Sequence, residues 1–145
     1  MQEAPKTGLR FNAGKLKWHL MHYGAMSPMI KGLMYGAHKY TTFEDSNGRR
    51  FTGAEIPISD AHKYKIIYSG ADNWKKGLVL KEVLDCAQRH LAAIMDGELI
   101  DRESGVPHIG LLMCNVKFFS FFTETEEGKK IIEEMHDPTG PLIDG

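Results

Sequence analysis

The chain has 145 residues, of which 18 are lysine or arginine and 19 are aspartate or glutamate, and its formal net charge is −1. A chain of this length can bury a core without disulfide or metal staples, so we expect one domain over 1–145. The balanced charge excludes a general attraction to nucleic acid or to an anionic membrane surface, while a small anion could still bind at a local site. The apolar runs fall far short of the roughly 20 residues of a membrane span, and the N-terminus has no apolar signal region. We therefore expect a cytoplasmic protein.

An arm and a first helix are predicted at the start of the chain. Residues 1–18 are polar and contain glycine, which favours a semi-ordered arm, although the cluster GLRFNAGKLKW could also pack over the domain or lie against an anion. Ser27 and Pro28 suit the N-cap and the first position of a helix, and apolar residues then recur at helical spacing. These signals predict a helix at 28–39.

The next segment is predicted to be a long loop or small insertion. From 41 to 57 the sequence TTFEDSNGRRFTGAEIP has no sustained period and contains Asn-Gly and Pro breakers, which indicates a long loop or a short hairpin. Ser59 or Asp60 could cap a short helix that runs through Tyr68 and ends at Gly70. A loop of this length within a domain is often functional.

Three helices are predicted in the rest of the chain. Apolar residues spaced i, i+3, i+4 and i+7 predict a helix at 79–96, with Gly97 as its C′ residue. The stretch IGLLMCNVKFFSFF is apolar on nearly every side, so we expect a helix at 107–123 that is buried centrally or at a subunit interface. A short charged helix at 126–136 and a tail form the C-terminal segment 124–145. The predicted fold is all-α, a bundle of four to five helices that assembles as a homodimer or homotetramer.

Five carboxylates on and after the helix at 79–96 are candidates for a metal site. Glu82 and Asp85 are three residues apart on one helix face, and Glu98 and Asp101 repeat this ExxD spacing beside Glu103. Acids near a helix C-terminus face the negative end of its dipole, so we expect something to neutralise them. If antiparallel helices bring the two pairs together, they form an oxygen-rich site suited to Mg²⁺ or Mn²⁺. The alternatives are pairs on a solvated face and an Asp101 or Ser104 that only caps the following turn.

The histidines and cysteines do not match a structural zinc pattern. His90 and His108 lack HExxH spacing, and Cys86 and Cys114 are predicted to be reduced thiols in the core. A lone helical histidine is more often a packed, hydrogen-bonded residue than a metal ligand. Asn115 lies in the middle of an apolar helix, where its amide needs a partner, either a carboxylate or a group of a substrate.

Two short motifs combine aromatic, amide and basic side chains. The turn ADNWKKG offers the Trp74 indole for stacking on a base, the Asn73 amide for its edge, and Lys75 for phosphates, and GAHKY offers Lys39 and Tyr40. Ordinary surface turns explain each motif equally well. The chain has no GxxxxGK[ST] and no strand-bound GxGxxG, which argues against P-loop and Rossmann nucleotide sites.

The order of these motifs resembles a known family. GAHKY, DNWKKG, RHLAAIMDGELIDRESGVPH and an asparagine in an apolar helix follow one another as in the phage-associated dATP/dGTP diphosphohydrolase domain, and RFNAGKLKW resembles its opening segment. The resemblance spans 8–122. This family in turn is similar to the all-α, MazG-like nucleotide pyrophosphohydrolases, which hold divalent metal with ExxE and ExxD acids on helices.

The resemblance implies an enzyme that hydrolyses a purine deoxynucleoside triphosphate to its monophosphate and pyrophosphate in phage nucleotide metabolism, in the host cytoplasm and with Mg²⁺ or Mn²⁺. It implies Glu98, Asp101 and His90 as catalytic residues, with Glu103 and His108 close by. The residues expected to hold metal are Glu82, Asp85, Glu98, Asp101 and Glu103. The residues expected to bind substrate are Lys39, Tyr40, Asn73, Trp74, Lys75, Arg89 and Asn115.

The chain departs from the family pattern at three places. Leu111 stands where the family has a second histidine, Met29, Ile30 and Lys31 stand where a carboxylate is expected on the first helix, and 41–70 looks like an insertion. These departures keep open a non-catalytic protein that binds or sequesters a nucleotide. The apolar helix at 107–123 also keeps open a purely structural oligomer.

Overall fold

The computed structural model describes residues 8–9, 11 and 13–135, and most of the predicted arm and the tail after 135 lie outside these ranges. The described chain is mostly helical. Its α-helices are α1 at Tyr23–Lys39, α2 at Leu80–Met95, α3 at His108–Glu124 and α4 at Glu126–Glu134. Short 3-10 helices lie at Trp18–Leu20, Gly53–Glu55, Ile58–Lys63 and Asn73–Lys76. Within the described ranges, every helix is too short or too polar to span a bilayer.

Helix α1 begins earlier than the sequence predicts. The N-cap is His22, whose side chain accepts a hydrogen bond from the Ala25 N–H, so the predicted Ser27–Pro28 start is wrong. Pro28 lies inside the helix, where it cannot donate to the Gly24 carbonyl. The Ser27 hydroxyl donates to that carbonyl instead, at 2.9 Å. The helix therefore continues through the proline because a neighbouring side chain replaces the missing hydrogen bond.

Helix α2 matches the predicted helix at 79–96, including its end. Gly97 has a φ of 89°, its N–H donates to Ile94 O at 2.9 Å, and the Glu98 N–H donates to Ala93 O at 2.9 Å. This pair of bonds is a Schellman motif, which satisfies the last carbonyls of the helix and needs a residue with positive φ.

The all-α prediction is wrong for the insertion, which contains a small antiparallel sheet. Strands β1 at Thr42–Glu44, β2 at Arg50–Thr52 and β3 at Lys65–Tyr68 pair in the order β2-β1-β3. The predicted hairpin is β1–β2. The predicted helix through Tyr68 is instead a 3-10 helix followed by β3, because the run KIIY is β-branched and aromatic and pairs with β1.

The sheet is attached to the C-terminal end of α1. The Phe43 side chain is fully buried and contacts the rings of His38, Phe51 and Tyr64. His38 Nε2 lies 2.8 Å from the Ile56 carbonyl, so the connection after β2 is held against the same helix. The insertion is thus a packed extension of the helical core.

Helix α3 is the centre of the helical core and packs against α1, α2 and α4. A Cβ atom added to Gly110 would collide with the backbone of Pro28 on α1, and one added to Gly32 would lie 2.7 Å from Cys114 Sγ. Glycines therefore permit the backbones of α1 and α3 to approach closely. The buried apolar side chains are Phe43, Leu80, Val83, Ala87, Val106, Cys114 and Phe122.

We expect Gly110→Ala to lower the free energy of unfolding by about 1 to 3 kcal/mol, because the added methyl group must push α3 away from α1. Gly36→Ala on α1 is the matched control. Nothing lies within 4 Å of its added Cβ, so the variant should gain about 0.5 to 1 kcal/mol from helix propensity. Urea unfolding at equal protein concentration measures both. Equal stability of the Gly110→Ala variant and the parent would refute the close contact.

Candidate functional site

A cleft of about 660 Å³ lies between α1 and α2, both of which pack on α3. This volume is in the range of small-molecule sites. The structure brings ten of the predicted site residues together in its lining. They are Lys39, Tyr40, Asn73, Trp74, Glu82, Arg89, His90, Asp101, Glu103 and Asn115.

Three predicted site residues do not line the cleft. Lys75 lies 3.9 Å from Asp72 in an exposed ion pair. Asp85 is exposed on α2 and, unlike Glu82, does not reach the cleft. Glu98 is also absent from the lining, so the ExxD spacing places only one acid of each pair in the cleft.

Asp101 is fixed in the cleft by the turn that follows it. Its carboxylate accepts hydrogen bonds from the Ser104 hydroxyl at 2.6 Å and the Ser104 N–H at 3.0 Å. Gly105, with a φ of 72°, closes the turn. Burial raises the pKa of Asp101, but the hydrogen bonds from Ser104 and the Glu103 backbone, together with the nearby His108, lower it by more, and the net pKa lies below the ordinary aspartate value. The turn therefore holds a charged carboxylate at the cleft wall.

Glu98 faces His108 on the other side of the same loop. Its Oε1 lies 3.4 Å from His108 Nε2 and 3.9 Å from Arg102 Nε. His108 is buried, and its Nδ1 lies 2.9 Å from Nδ1 of His90, which lines the cleft. Burial and the neighbouring His108 lower the pKa of His90, so this histidine is neutral near pH 7.

Two cations of the cleft are available to an anion. Among the described residues, neither Lys39 nor Arg89 takes part in a salt bridge. Lys39 stands at the end of α1 and Arg89 on α2, so they approach the cleft from two helices. Separated guanidinium and ammonium groups suit a polyphosphate, which carries several charges along its length.

The residues present do not form a complete metal centre by themselves. In the ranges that the structure describes, no three His, Cys, Asp or Glu side chains are grouped so as to hold an ion. Glu82, Asp101 and Glu103 line one cleft, but they are not grouped closely enough to hold an ion by themselves. In the described chain, the four carboxylates of the two ExxD pairs are therefore not grouped so as to hold an ion together.

Comparison with known protein families gives one match. The model for the N-terminal domain of dATP/dGTP diphosphohydrolases matches residues 5–131, which is most of the chain. The chain belongs to this family. Searches of curated proteins and of solved structures found no match.

Trp74 lines the cleft and is itself packed against α3. Its ring stacks on Phe118 at 5.0 Å and meets Phe121 edge-on at 4.9 Å, and Lys117 Nζ lies 3.8 Å from its centre. Burial lowers the pKa of Lys117. Much of the indole is therefore engaged within the protein, which restricts the predicted stacking on a base.

Asn115 finds its partners within the helices. Its Nδ2 donates to the Leu111 carbonyl at 2.8 Å and lies 3.5 Å from Cys86 Sγ, so neither partner is the carboxylate that the sequence suggested. Leu111 also lines the cleft, at the position where the family pattern has a histidine. This part of the cleft is therefore less polar than the family pattern implies.

Sequence reasoning missed Tyr35 and the role of Ser104, both of which line the cleft. Tyr35 lies one helical turn before Lys39, so the i, i+4 spacing could have indicated it. Ser104 is three residues after Asp101, which is the spacing at which a capping aspartate accepts a hydrogen bond from a backbone N–H.

We expect Ser104→Ala to lower the free energy of unfolding by about 1 kcal/mol near pH 7, because the Asp101 carboxylate loses its hydroxyl donor. The folded-state pKa of Asp101 is depressed, so this contribution is present above the ordinary aspartate pKa and disappears as the pH falls through the depressed value. Urea unfolding from neutral to strongly acidic pH measures the trend. The Asp101 pKa, followed by carboxyl NMR, should rise in the variant.

Ser120→Ala is the control for this experiment. Ser120 is exposed on α3 and forms no side-chain hydrogen bond in the described part of the chain, so its removal should not introduce a pH dependence. A Ser104→Ala effect that stays the same at all pH values would show that the hydroxyl does not stabilise the charged form of Asp101.

Proposed function

We propose that the domain hydrolyses dATP or dGTP to the deoxynucleoside monophosphate and pyrophosphate in phage nucleotide metabolism. The observation that carries this proposal is the family match combined with a cleft that gathers the family motifs. GAHKY, DNWKKG and the loop after α2 come from distant parts of the chain and meet around one cavity. The cleft holds cations, acids and amides, and a binding site for a nucleoside triphosphate requires all three.

Different residues of the cleft suit different parts of the substrate. Lys39 and Arg89 are free of salt bridges among the described residues and suit the triphosphate. Asn73 supplies an amide for the edge of the base, and Asn115, whose Nδ2 donates to Leu111, supplies its Oδ1. The acids on the cleft wall place negative charge near the phosphates, and this charge needs compensation when a triphosphate binds.

We further propose that the divalent metal ion binds together with the nucleotide. In this proposal the domain resembles the MazG-like enzymes in its use of a divalent metal. The described chain alone offers no three-ligand group. Mg²⁺ is commonly held by one or two carboxylates together with substrate phosphates rather than by an all-protein cage. Asp101, Glu82 and Glu103 are the cleft acids that would approach such a complex, in which the ion compensates phosphate charge. Metal affinity should therefore be low without nucleotide.

A non-catalytic nucleotide-binding protein is the second candidate. Leu111 favours it, because an apolar side chain replaces the family histidine inside the cleft. The same cations and amides would then bind and sequester the nucleotide without turnover.

We expect the purified protein to release monophosphate and pyrophosphate from dATP or dGTP with Mn²⁺ or Mg²⁺. Asp101→Asn should reduce kcat by about 100-fold or more, because it removes the charge that the Ser104 turn maintains. Asp85→Asn is the matched control: it changes an exposed acid outside the cleft and should keep activity. Chromatography of the products measures both. Tight nucleotide binding without product would support the second candidate, and no binding at all would refute both.

We also propose that the domain is a homo-oligomer that associates through an apolar back face. On α2, Leu84, Leu91 and Met95 recur at helical spacing on the side away from the cleft, and Met95 is 78% exposed. On α3, Ile109 and Val116 are exposed one helical repeat apart. The two helices are antiparallel neighbours, and a second copy of this face would complete a four-helix arrangement about a two-fold axis.

We expect the double variant Leu91→Glu, Met95→Glu to be monomeric, because four carboxylates would face one another across the proposed dimer interface. Ala92→Glu is the control, since Ala92 is exposed on α2 outside both the back face and the cleft. Light scattering after size-exclusion chromatography gives the mass. A parent protein that is already monomeric at micromolar concentration would refute the interface.

A further inference from the structure

A second cavity lies between α1 and the insertion, and we call it the insertion cavity. Its volume is about 450 Å³, which is in the range of small-molecule sites. One wall comes from α1, another from 53–58 of the insertion, and a third from the loop at 103–106. The proposed hydrolysis does not use the insertion, so this cavity needs its own explanation.

The insertion wall of the cavity is held firmly against α1. His38 Nε2 donates to the Ile56 carbonyl at 2.8 Å, because a carbonyl oxygen can only accept. The Gly53 N–H donates to the Thr41 carbonyl at 3.0 Å, and a Cβ atom added to Gly53 would collide with the His38 carbonyl. These contacts fix the distance between the two walls. The cavity is therefore preformed, which lowers the cost of binding a ligand.

The lining of the insertion cavity combines apolar surface with two lysines. Lys31, Tyr35 and Lys39 are spaced i, i+4 and i+8, so they share one face of α1. Neither lysine takes part in a salt bridge among the described residues, and the lining contains one carboxylate, that of Glu103. An aromatic and apolar wall suits a planar ring, and ammonium groups suit a phosphate. The apolar and aromatic part of the lining includes Met34, Tyr35, Ile56, Pro57, Ile58 and Val106.

The insertion cavity and the cleft have a common wall. Tyr35, Lys39, Glu103 and Ser104 line both of them. Lys39 matters most, because it is also one of the two cations that suit the triphosphate in the cleft. Phosphates bound in both cavities would share this one ammonium group, and their like charges would repel each other. A phosphate-bearing ligand in one cavity therefore weakens phosphate binding in the other.

We propose that the insertion cavity is a second nucleotide site, which binds a deoxynucleoside monophosphate and lowers the affinity of the cleft for the triphosphate. The base lies against Tyr35 and the apolar wall, and Lys31 and Lys39 bind the phosphate group. A monophosphate fits better than a triphosphate, because this cavity is smaller than the cleft and one of its two cations is shared. The effect on the cleft rests on the proposed function. A monophosphate is the product of that reaction, so the site lets the product slow further hydrolysis.

Calorimetric titration of the whole protein with dAMP and with dGMP tests the site. We expect at least one of them to bind, and about 5- to 10-fold more weakly to Lys31→Ala, which removes an exposed cation that lines only the insertion cavity. Ala54→Trp should abolish binding, because the large side chain fills the cavity. Ser59→Trp is the matched control, since Ser59 is exposed on the next 3-10 helix and lines neither cavity.

The same titrations can overturn the proposal. Inorganic phosphate and the deoxynucleosides should bind about 10-fold more weakly or worse than the monophosphate, and equal binding would remove the argument for a nucleotide. No binding of either monophosphate at millimolar concentration would refute the site. Binding that Arg89→Ala abolishes and Ala54→Trp leaves unchanged would also refute it, because Arg89 lines only the cleft.

Kinetics test the effect on the cleft. The monophosphate should raise the KM for dATP or dGTP by about 5-fold or more and then reach a plateau, because a ligand in a neighbouring site weakens the substrate without replacing it. In Ala54→Trp, KM should no longer respond to the monophosphate. A rise without a plateau, or the same rise in Ala54→Trp, would show competition within the cleft and overturn the coupling. If the parent hydrolyses no nucleotide, the proposed function fails, and calorimetry still decides whether the second site exists.

Discussion

The close contact between α1 and α3 is the constraint on which the rest of the structure depends. Gly110 lies against the backbone of Pro28, and Cys114 Sγ donates to the Met29 carbonyl at 3.3 Å. Burial raises the pKa of Cys114 to about 11, so the thiol stays neutral and serves packing. Since α2 packs on another side of α3, a fixed α1 leaves an open space between α1 and α2. The cleft thus forms because α1 and α2 pack on different sides of α3.

The insertion connects this helical frame to the cleft. The Thr41 hydroxyl donates to the Ala37 carbonyl at 2.7 Å and accepts from the Gly70 N–H at 2.9 Å, so the two ends of the insertion are fastened to the end of α1. The segment that follows Gly70 carries the NWKK helix. GAHKY and DNWKKG therefore lie together, because the chain passes through the three strands and returns at Gly70 to the end of α1.

The sequence predicts what periodicity and local chemistry determine. The spacing of the apolar residues correctly predicted α2, and Gly97 correctly predicted its end, since both depend on neighbours along the chain. The Ser27–Pro28 prediction failed because a serine hydroxyl can replace the hydrogen bond that proline removes. The strand β3 was missed because local signals leave a short apolar run undecided between helix and strand, and the pairing with β1 that decides it comes from more than 20 residues away. The order of the motifs predicted which residues line the cleft. It did not predict which way the side chains after α2 point, because packing decides their directions.

The carboxylates after α2 show why those directions matter. Acids at a helix C-terminus face the negative end of the helix dipole and need a compensating partner. This argument does not identify the partner. Here Asp101 is satisfied by Ser104, and Glu98 lies against Arg102 and His108, so each acid has a local partner within its own loop. Local partners therefore account for the placement of these two acids after α2. Two acids with the same spacing as a metal motif consequently lie on different sides of one loop: Asp101 lines the cleft, and Glu98 lies against His108.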